Sequence, residues 1–335
     1  MSNAVKPNAS AIGLDVGTSR IVAAQRLDKT TQYQTQLNAF VNLPFTKLTQ
    51  GVLKKERIPH IVQDSEITVY GDESERFANL FHAETRRPML RGVLNQEEAG
   101  SLRLVREIVV LLTADTPGQG QKLCFSIPAA PIGAGEAVNA HEAALKKMLC
   151  DLGYEASSIS EGLAVVYGEM ENSNYTGIGV SCGGGLCNVC FAYLSVPVFS
   201  FSISKGGDFI DASVATQRGE PATRIRTIKE ESFHLNGHFA NKIHQALNTY
   251  YEDMIQSLVA AVRDAFASAQ NMPKLSRPIP MVLSGGSVLA AGFRDRFEKI
   301  LRETELPVAI SEVRLGTSPQ HSTARGALVA ALSEM

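Results

Sequence analysis

Ile12-Gly13-Leu14-Asp15-Val16-Gly17-Thr18-Ser19-Arg20, followed by the apolar run Ile21-Val22-Ala23-Ala24, reads as a buried β-strand that delivers one carboxylate to a tight glycine turn before a second strand leads away. That geometry aims backbone N–H groups and Asp15 at a common point, an arrangement suited to a phosphate and a metal ion. Gly17 permits close backbone approach, Thr18, Ser19 and Arg20 supply donors, and Asp15 can hold a hydrated Mg²⁺. An ordinary hairpin with a polar turn carries the same short signature, so this stretch alone leaves both readings open.

The pattern recurs. Ile178-Gly179-Val180-Ser181-Cys182-Gly183-Gly184-Gly185 is again an apolar strand ending in a glycine turn, and Val189-Cys190-Phe191-Ala192-Tyr193-Leu194 follows as a strand. Asp15 and Ser181 fall at equivalent points about half a chain apart, which predicts two similar domains, each offering a glycine hairpin to one nucleotide. A third turn, Ser284-Gly285-Gly286-Ser287, follows the strand Met281-Val282-Leu283 and precedes an amphipathic helix over 293–301. It is placed to hold the nucleoside end.

A length of 335 residues accommodates two domains with sizeable cores. Hydrophobic content of 44% with 20% charged residues is that of a soluble globular chain, and a net charge of −2 gives no electrostatic reason to expect nucleic-acid binding. No apolar run is long enough to insert into a bilayer and the polar start 1–10 is no signal peptide, so a cytoplasmic location is expected. Five cysteines, an odd number, argue against a disulfide framework. Cys182, Cys187 and Cys190 match part of an iron–sulfur spacing, but Cys187 and Cys190 would face opposite sides of a strand. His234 and His238 lack a carboxylate partner for a metal site.

In chain order, a third strand is expected over 35–43, then a loop-rich region with short strands at 61–62 and 67–70 and a helix over 74–81, read together as an inserted subdomain. A helix over 97–113, a Pro/Gly loop over 115–121, a strand over 122–128 and helices over 136–152 and 162–170 complete one α/β domain. The second domain has strands over 176–182, 189–194 and 196–204. It continues with a helix opened by Gly206, helices over 224–233 and 243–270, a strand over 307–310 and a small-residue helix over 323–335.

These residues together resemble the actin-like ATPase superfamily, most closely the bacterial MreB and MamK filament proteins. The resemblance runs through five ordered motifs: phosphate-1 at 15–20, connect-1 at 161–168, phosphate-2 at 181–185, the adenosine loop at 284–287 and connect-2 at 323–327. Gly71-Asp72-Glu73 and 86–93 resemble segments flanking the subdomain IB helix of MreB, and Ile228-Lys229-Glu230 resembles the helix whose Lys and Glu hold adenosine.

The resemblance implies an actin-like, ribonuclease-H-like α/β fold of duplicated domains flanking a nucleotide cleft. Domain I would cover 11–168 with an IB insertion at about 44–85, domain II 169–316 with a shortened IIB at about 209–242, and the helix at 317–335 would return to domain I. It also implies ATP and Mg²⁺ as ligands. Asp15 would hold the metal and Glu161 orient the attacking water. The nucleotide would be held by Gly17, Thr18, Ser19, Arg20, Gly183, Gly184, Gly185, Gly206, Lys229, Glu230, Gly285, Gly286 and Ser287. Glu161 is equally read as a helix-start residue facing the macrodipole.

Two departures qualify that implication. The family's phosphate-2 Asp falls on Ser181 and the Thr after its glycines on Leu186, which predicts slow hydrolysis. Only 231–242 stands where MreB and MamK carry a strand-bearing subdomain that makes longitudinal contacts. The function implied is a nucleotide-dependent cytoskeletal filament whose partner is itself, head to tail, with cytoplasmic or membrane-associated proteins as further partners. A non-polymerising ATP-binding scaffold of the FtsA or PilM type stands as the alternative, and a sugar or acetate kinase is more distant.

Overall fold

The computed structural model describes residues 11–27, 30–113, 120–130, 136–239 and 241–334. The polar start 1–10 and most of the Pro/Gly loop, 115–119, lie outside the described residues. The opening stretch forms β1 (Ile12–Val16), whose alternate apolar side chains are buried, and an antiparallel return as β2 (Arg20–Leu27) and β3 (Thr30–Leu37). The strand expected over 35–43 is in fact divided. Asn38 breaks it by turning back to the glycine turn, its backbone N–H donating to Ser19 O at 3.0 Å and its Nδ2 to Gly17 O at 2.9 Å.

Beyond that break an inserted unit contains β4 (Phe40–Pro44), α1 (Lys47–Lys55), β5 (His60–Gln63), β6 (Glu66–Tyr70) and α2 (Glu73–Phe81), with strand order β4-β6-β5. Helix α1 corrects the expectation of a loop. Thr46 caps it by accepting from Thr49 N at 2.9 Å, but only Leu53 is buried while Leu48 and Val52 face outward, so no core-facing stripe marks it in the sequence. A short hairpin, β7 (Met89–Leu90) and β8 (Val93–Leu94), leads to α3 (Ser101–Leu112). This helix starts later than expected because Gly100, at φ 82°, cannot be its first turn.

The domain is completed by β9 (Lys122–Ile127), α4 (Glu136–Asp151), β10 (Glu155–Ser160) and α5 (Glu161–Glu169). The second half has β11 (Gly177–Cys182), β12 (Cys187–Tyr193), β13 (Val196–Ile203), α6 (Gly207–Arg218), α7 (Ala222–Glu231) and α8 (Lys242–Ser268). It ends with β14 (Ile279–Ser284), α9 (Phe293–Arg302), β15 (Ile310–Leu315) and α10 (Ser322–Ser333). The strand expected over 307–310 is thus shifted onto β15, whose exposed Glu312 and half-buried Arg314 hide its edge pattern.

The sequence repeat is a topological repeat. One five-stranded sheet runs β3-β2-β1-β9-β10 and the other β13-β12-β11-β14-β15. In each, the first three strands form an antiparallel meander and the last two add in parallel. Sheet I packs on α3 and α4 through Leu14, Val105, Ile108, Leu145 and Leu149, and sheet II on α6 and α8 through Val180, Ile210, Met254 and Leu258.

Between the sheets lie α5 and α10, in unusually close contact. A Cβ on Gly326 of α10 would come within 1.7 Å of Ala164 O on α5, and one on Gly13 of β1 within 2.2 Å of Ala324 O. Helix α5 also packs against sheet II through Val165 and Val166, so it belongs to both cores. The segment 231–242 carries no strand among its described residues. Phe233 and Leu235 pin it to domain II, with Leu235 N donating to Ala291 O at 2.7 Å.

Candidate functional site

Because both meanders turn at the same end of their first strand, the turns at 17–19 and 183–186 face each other across the gap between the sheets. Gly17 N donates to Arg20 O at 3.0 Å and Gly183 N to Leu186 O at 2.9 Å, closing each hairpin tightly. The turns nearly touch, since a Cβ on Gly184 would lie 2.1 Å from Ser19 Oγ and one on Gly185 2.5 Å from Thr18 Oγ1. A cavity of about 380 Å³ is lined by both turns, by Asp15, Arg20 and Glu161, by Lys229 and Glu230 of α7, and by Gly285, Gly286 and Ser287. All the residues expected at the site line it except Gly206. That glycine lies beneath, where a Cβ would meet Gly184 O at 2.4 Å, and helps seat the second turn on α6.

A half-buried carboxylate, Asp15, and a buried one, Glu161, mark the inner end. Asp15, near the end of β1, accepts from Ser126 Oγ at 2.7 Å, and that oxygen in turn accepts from Val16 N at 3.0 Å. Glu161 opens α5 and accepts from Ser181 Oγ and from Asn188 Nδ2, both at 2.9 Å and both on Oε2. Burial pushes the pKa of each carboxyl well above the usual carboxylate range. The charge of Asp15 pushes Glu161 up further, and the bonds from Ser181 and Asn188 oppose it only in part. A cation between them relieves both.

At the other end, Lys229 and Asp211 form a buried ion pair at 2.8 Å, and Lys229 also donates to Gly207 O at 3.1 Å. Burial raises the Asp211 carboxyl, with the Lys229 charge opposing it, and Oδ1 of Asp211 finds no partner among the described residues. Gly285, at φ 93°, could not carry a side chain, since a Cβ would sit 2.3 Å from Cys182 O. Glu230 is exposed at the rim, and Ser287 Oγ donates to Gly183 O at 3.1 Å. The first amides of α6 are consumed by the second turn, Gly207 N donating to Gly183 O at 3.0 Å and Asp208 N to Gly184 O at 2.8 Å.

The residues that sequence reasoning missed are those supporting the carboxylates and the turns: Ser126, Asn188, Asp208 and Asp211. Two of them carried a readable signal, a polar residue inside an otherwise apolar buried strand, as at Ser126 and Asn188. Leu186, where the resembled family has Thr, packs on the hairpin at Gly92, whose N–H donates to Thr18 Oγ1 at 3.0 Å. Cys182 and Cys187 face each other in the core of domain II, while Cys190 points to the opposite face of its sheet. Among the described residues no helix is long and apolar enough to cross a membrane, and no group of three metal-ligating side chains gathers.

Comparison with solved structures shows the same fold. A MamK double helical filament subunit is 20% identical, with 97% of this chain and 99% of that one covered at a TM-score of 0.72. MreB 5 of Spiroplasma citri bound to AMPPNP is 14% identical, covering 96% and 95% at 0.68. The ethanolamine utilization protein EutJ from Carboxydothermus hydrogenoformans is 16% identical, covering 98% and 92% at 0.56. No curated protein matches the chain. Residues 10–331 match the Volactin family model, so this protein, with the fold of the actin-like ATPases, belongs to the Volactin family.

Proposed function

We propose that this protein binds ATP with Mg²⁺ in the cleft, assembles head to tail into cytoplasmic filaments whose state follows the nucleotide, and hydrolyses ATP slowly. The observation that carries the reading is the convergence of two glycine turns, Asp15 and Glu161 on one cavity. The residues fit a polyphosphate and its cation. The carboxyl pKa values of half-buried Asp15 and buried Glu161 are both raised, Asp211 Oδ1 is an orphaned acceptor, and Gly286 has open space where a Cβ would be. A Mg²⁺ held by Asp15 would supply charge neutralisation at the phosphates.

Asp15 holds that cation, the two turns and the hydroxyls of Thr18 and Ser19 bind the phosphates with Arg20, and Glu161 orients the attacking water. Lys229, Glu230, Gly285, Gly286 and Ser287 take the nucleoside, while Gly206 supports the second turn. Ser181 contributes a donor to Glu161 where a carboxylate would help order water, so turnover is slow. The domain division follows the same reading: 11–168, 169–316 and the returning 317–335.

Assembly draws support from MamK, a relative in fold solved as a double helical filament. Head-to-tail contacts are heterologous and do not close, so they extend. The abbreviated 231–242 segment favours a second reading, a non-polymerising ATP-binding scaffold. Electron microscopy in ATP, in ADP and without nucleotide separates them: protofilaments in ATP are expected, and monodisperse particles in all three conditions leave the scaffold.

A further inference from the structure

Arg87 lies in the segment returning from the inserted unit of domain I, yet its guanidinium engages both sides of the cleft. Nη1 donates to Ser19 Oγ at 2.7 Å and to both carboxylate oxygens of Asp208, at 2.8 and 2.9 Å. Ser19 belongs to the first glycine turn and Asp208 opens α6 in domain II, and both line the cavity while Arg87 stands behind them. Gly184 completes the cluster. A Cβ there would lie 2.1 Å from Ser19 Oγ and 3.3 Å from Asp208 Oδ2, which places all four residues where the two turns meet.

An unpaired carboxylate on the wall of a polyphosphate site is a liability, because it repels the ligand, and most strongly the ligand with the most negative charge beside it. The Arg87 guanidinium, donating through Nη1, cancels the Asp208 charge. By occupying Ser19 Oγ as an acceptor, it also leaves the hydroxyl proton of Ser19 free to be donated to a phosphate oxygen.

We propose that Arg87 is a positioning residue for the terminal phosphate, neutralising Asp208 and orienting Ser19 so that the cleft takes a nucleoside triphosphate in preference to the diphosphate. The inference rests on the nucleotide reading above. No group given a role there performs this one, and the Arg87 contacts link the two domains directly where the two glycine turns meet.

The test measures Mg-ATP and Mg-ADP affinities on the full chain for wild type, Arg87→Gln, Asp208→Asn and the double variant. Wild type is expected to bind both and to prefer ATP. Arg87→Gln should weaken ATP by roughly tenfold to a hundredfold, the scale of a lost charge-assisted interaction, and weaken ADP much less. Adding Asp208→Asn to Arg87→Gln should restore a large part of the ATP loss, because the charge that Arg87 cancels is gone. A merely structural role for Arg87 would weaken both nucleotides alike without rescue, and that result overturns the proposal. Should Arg87→Gln fail to fold, Arg87→Met carries the comparison, and an ATP-to-ADP ratio unchanged from wild type in it overturns the proposal. If wild type binds neither nucleotide, the nucleotide reading falls and this inference with it. Binding of both with an unaltered ratio in Arg87→Gln sinks the inference alone.

Discussion

Ser181 Oγ and Glu161 Oε2 are joined by a 2.9 Å hydrogen bond that spans the seam between the domains, because Ser181 lies near the end of β11 while Glu161 begins α5. The serine therefore acts as a donor to the one carboxylate assigned to the attacking water. Glu161→Gln should lower ATP turnover by on the order of 10² to 10⁴, the usual cost of losing one positioned acid–base group. Equal phosphate release by the wild type and the variant would remove Glu161 from the chemistry.

Ser181→Asp tests the same bond from its other side. An ionised Asp cannot donate to Glu161 and adds a third carboxylate beside Asp15, so the variant should melt at a lower temperature without divalent cation. With Mg²⁺ and ATP it should turn over faster than the wild type, as the extra carboxylate orders metal-bound water. Phosphate-release rates and melts with and without Mg²⁺ settle it, and a variant no faster in Mg²⁺ refutes the assigned role of position 181.

The carboxyls of Asp15 and Glu161 set a pH dependence whose sign is unusual. Their folded-state pKa values are raised, so the unfolded chain gives up its protons first as pH rises. Stability is fully present below the ordinary carboxylate range and declines upward toward about 8, where Glu161 ionises in the folded protein. Urea titrations across that window should show the decline in the free protein, flattened in Glu161→Gln and relieved by Mg-ATP. A wild-type profile as flat as that of the variant would contradict it.

His141 acts in the opposite direction at lower pH. It is buried, accepts from Leu94 N through Nδ1 at 3.2 Å, and burial lowers its pKa from 6.5 to about 4. Its depressed folded value means the unfolded state takes up the proton first, so stability is intact above 6.5 and falls as pH drops toward about 4. The loss reaches roughly 3 kcal/mol at most. His141→Gln should remove this slope from the urea midpoint measured against pH, and a retained slope assigns it to other groups.

Binding of ATP to the folded state alone should raise stability by about 2.7 kcal/mol at a hundredfold excess over Kd. Asp15→Asn should abolish the Mg²⁺-dependent share of that shift while leaving the Mg²⁺-independent share. No melting shift at millimolar nucleotide would end the nucleotide reading.

The hairpin repeat was legible because its signal is local: an apolar strand, a glycine turn, an apolar return. The inserted helix at 47–55 was not, because its neighbours bury only Leu53, and a helix with Leu48 and Val52 outside offers no periodic stripe. At the site, the backbone-defined parts were readable, whereas of the supporting side chains only Ser126 and Asn188, polar within apolar strands, left a signal. Arg87 meets Ser19 and Asp208 only after the chain has folded, across separations of 68 and 121 residues. The split of the third strand had the same cause, since Asn38 is drawn to a turn that sequence neighbours do not reveal.

The glycine contacts of α5 and α10 leave no room for a methyl group between the two helices or between α10 and β1. Gly326→Ala should therefore destabilise by several kcal/mol, beyond the roughly 1–3 typical of overpacking, because backbone rather than a yielding side chain stands in the way. Gly51→Ala, in α1 with nothing within 4 Å, should stabilise by roughly 0.5–1 kcal/mol. A stack held at backbone contact can be neither compressed nor parted without exposing both cores, which leaves torsion about its long direction as the soft coordinate. The helix pair is thus a seam common to both sheets, a place in the fold where one added methyl group must displace backbone.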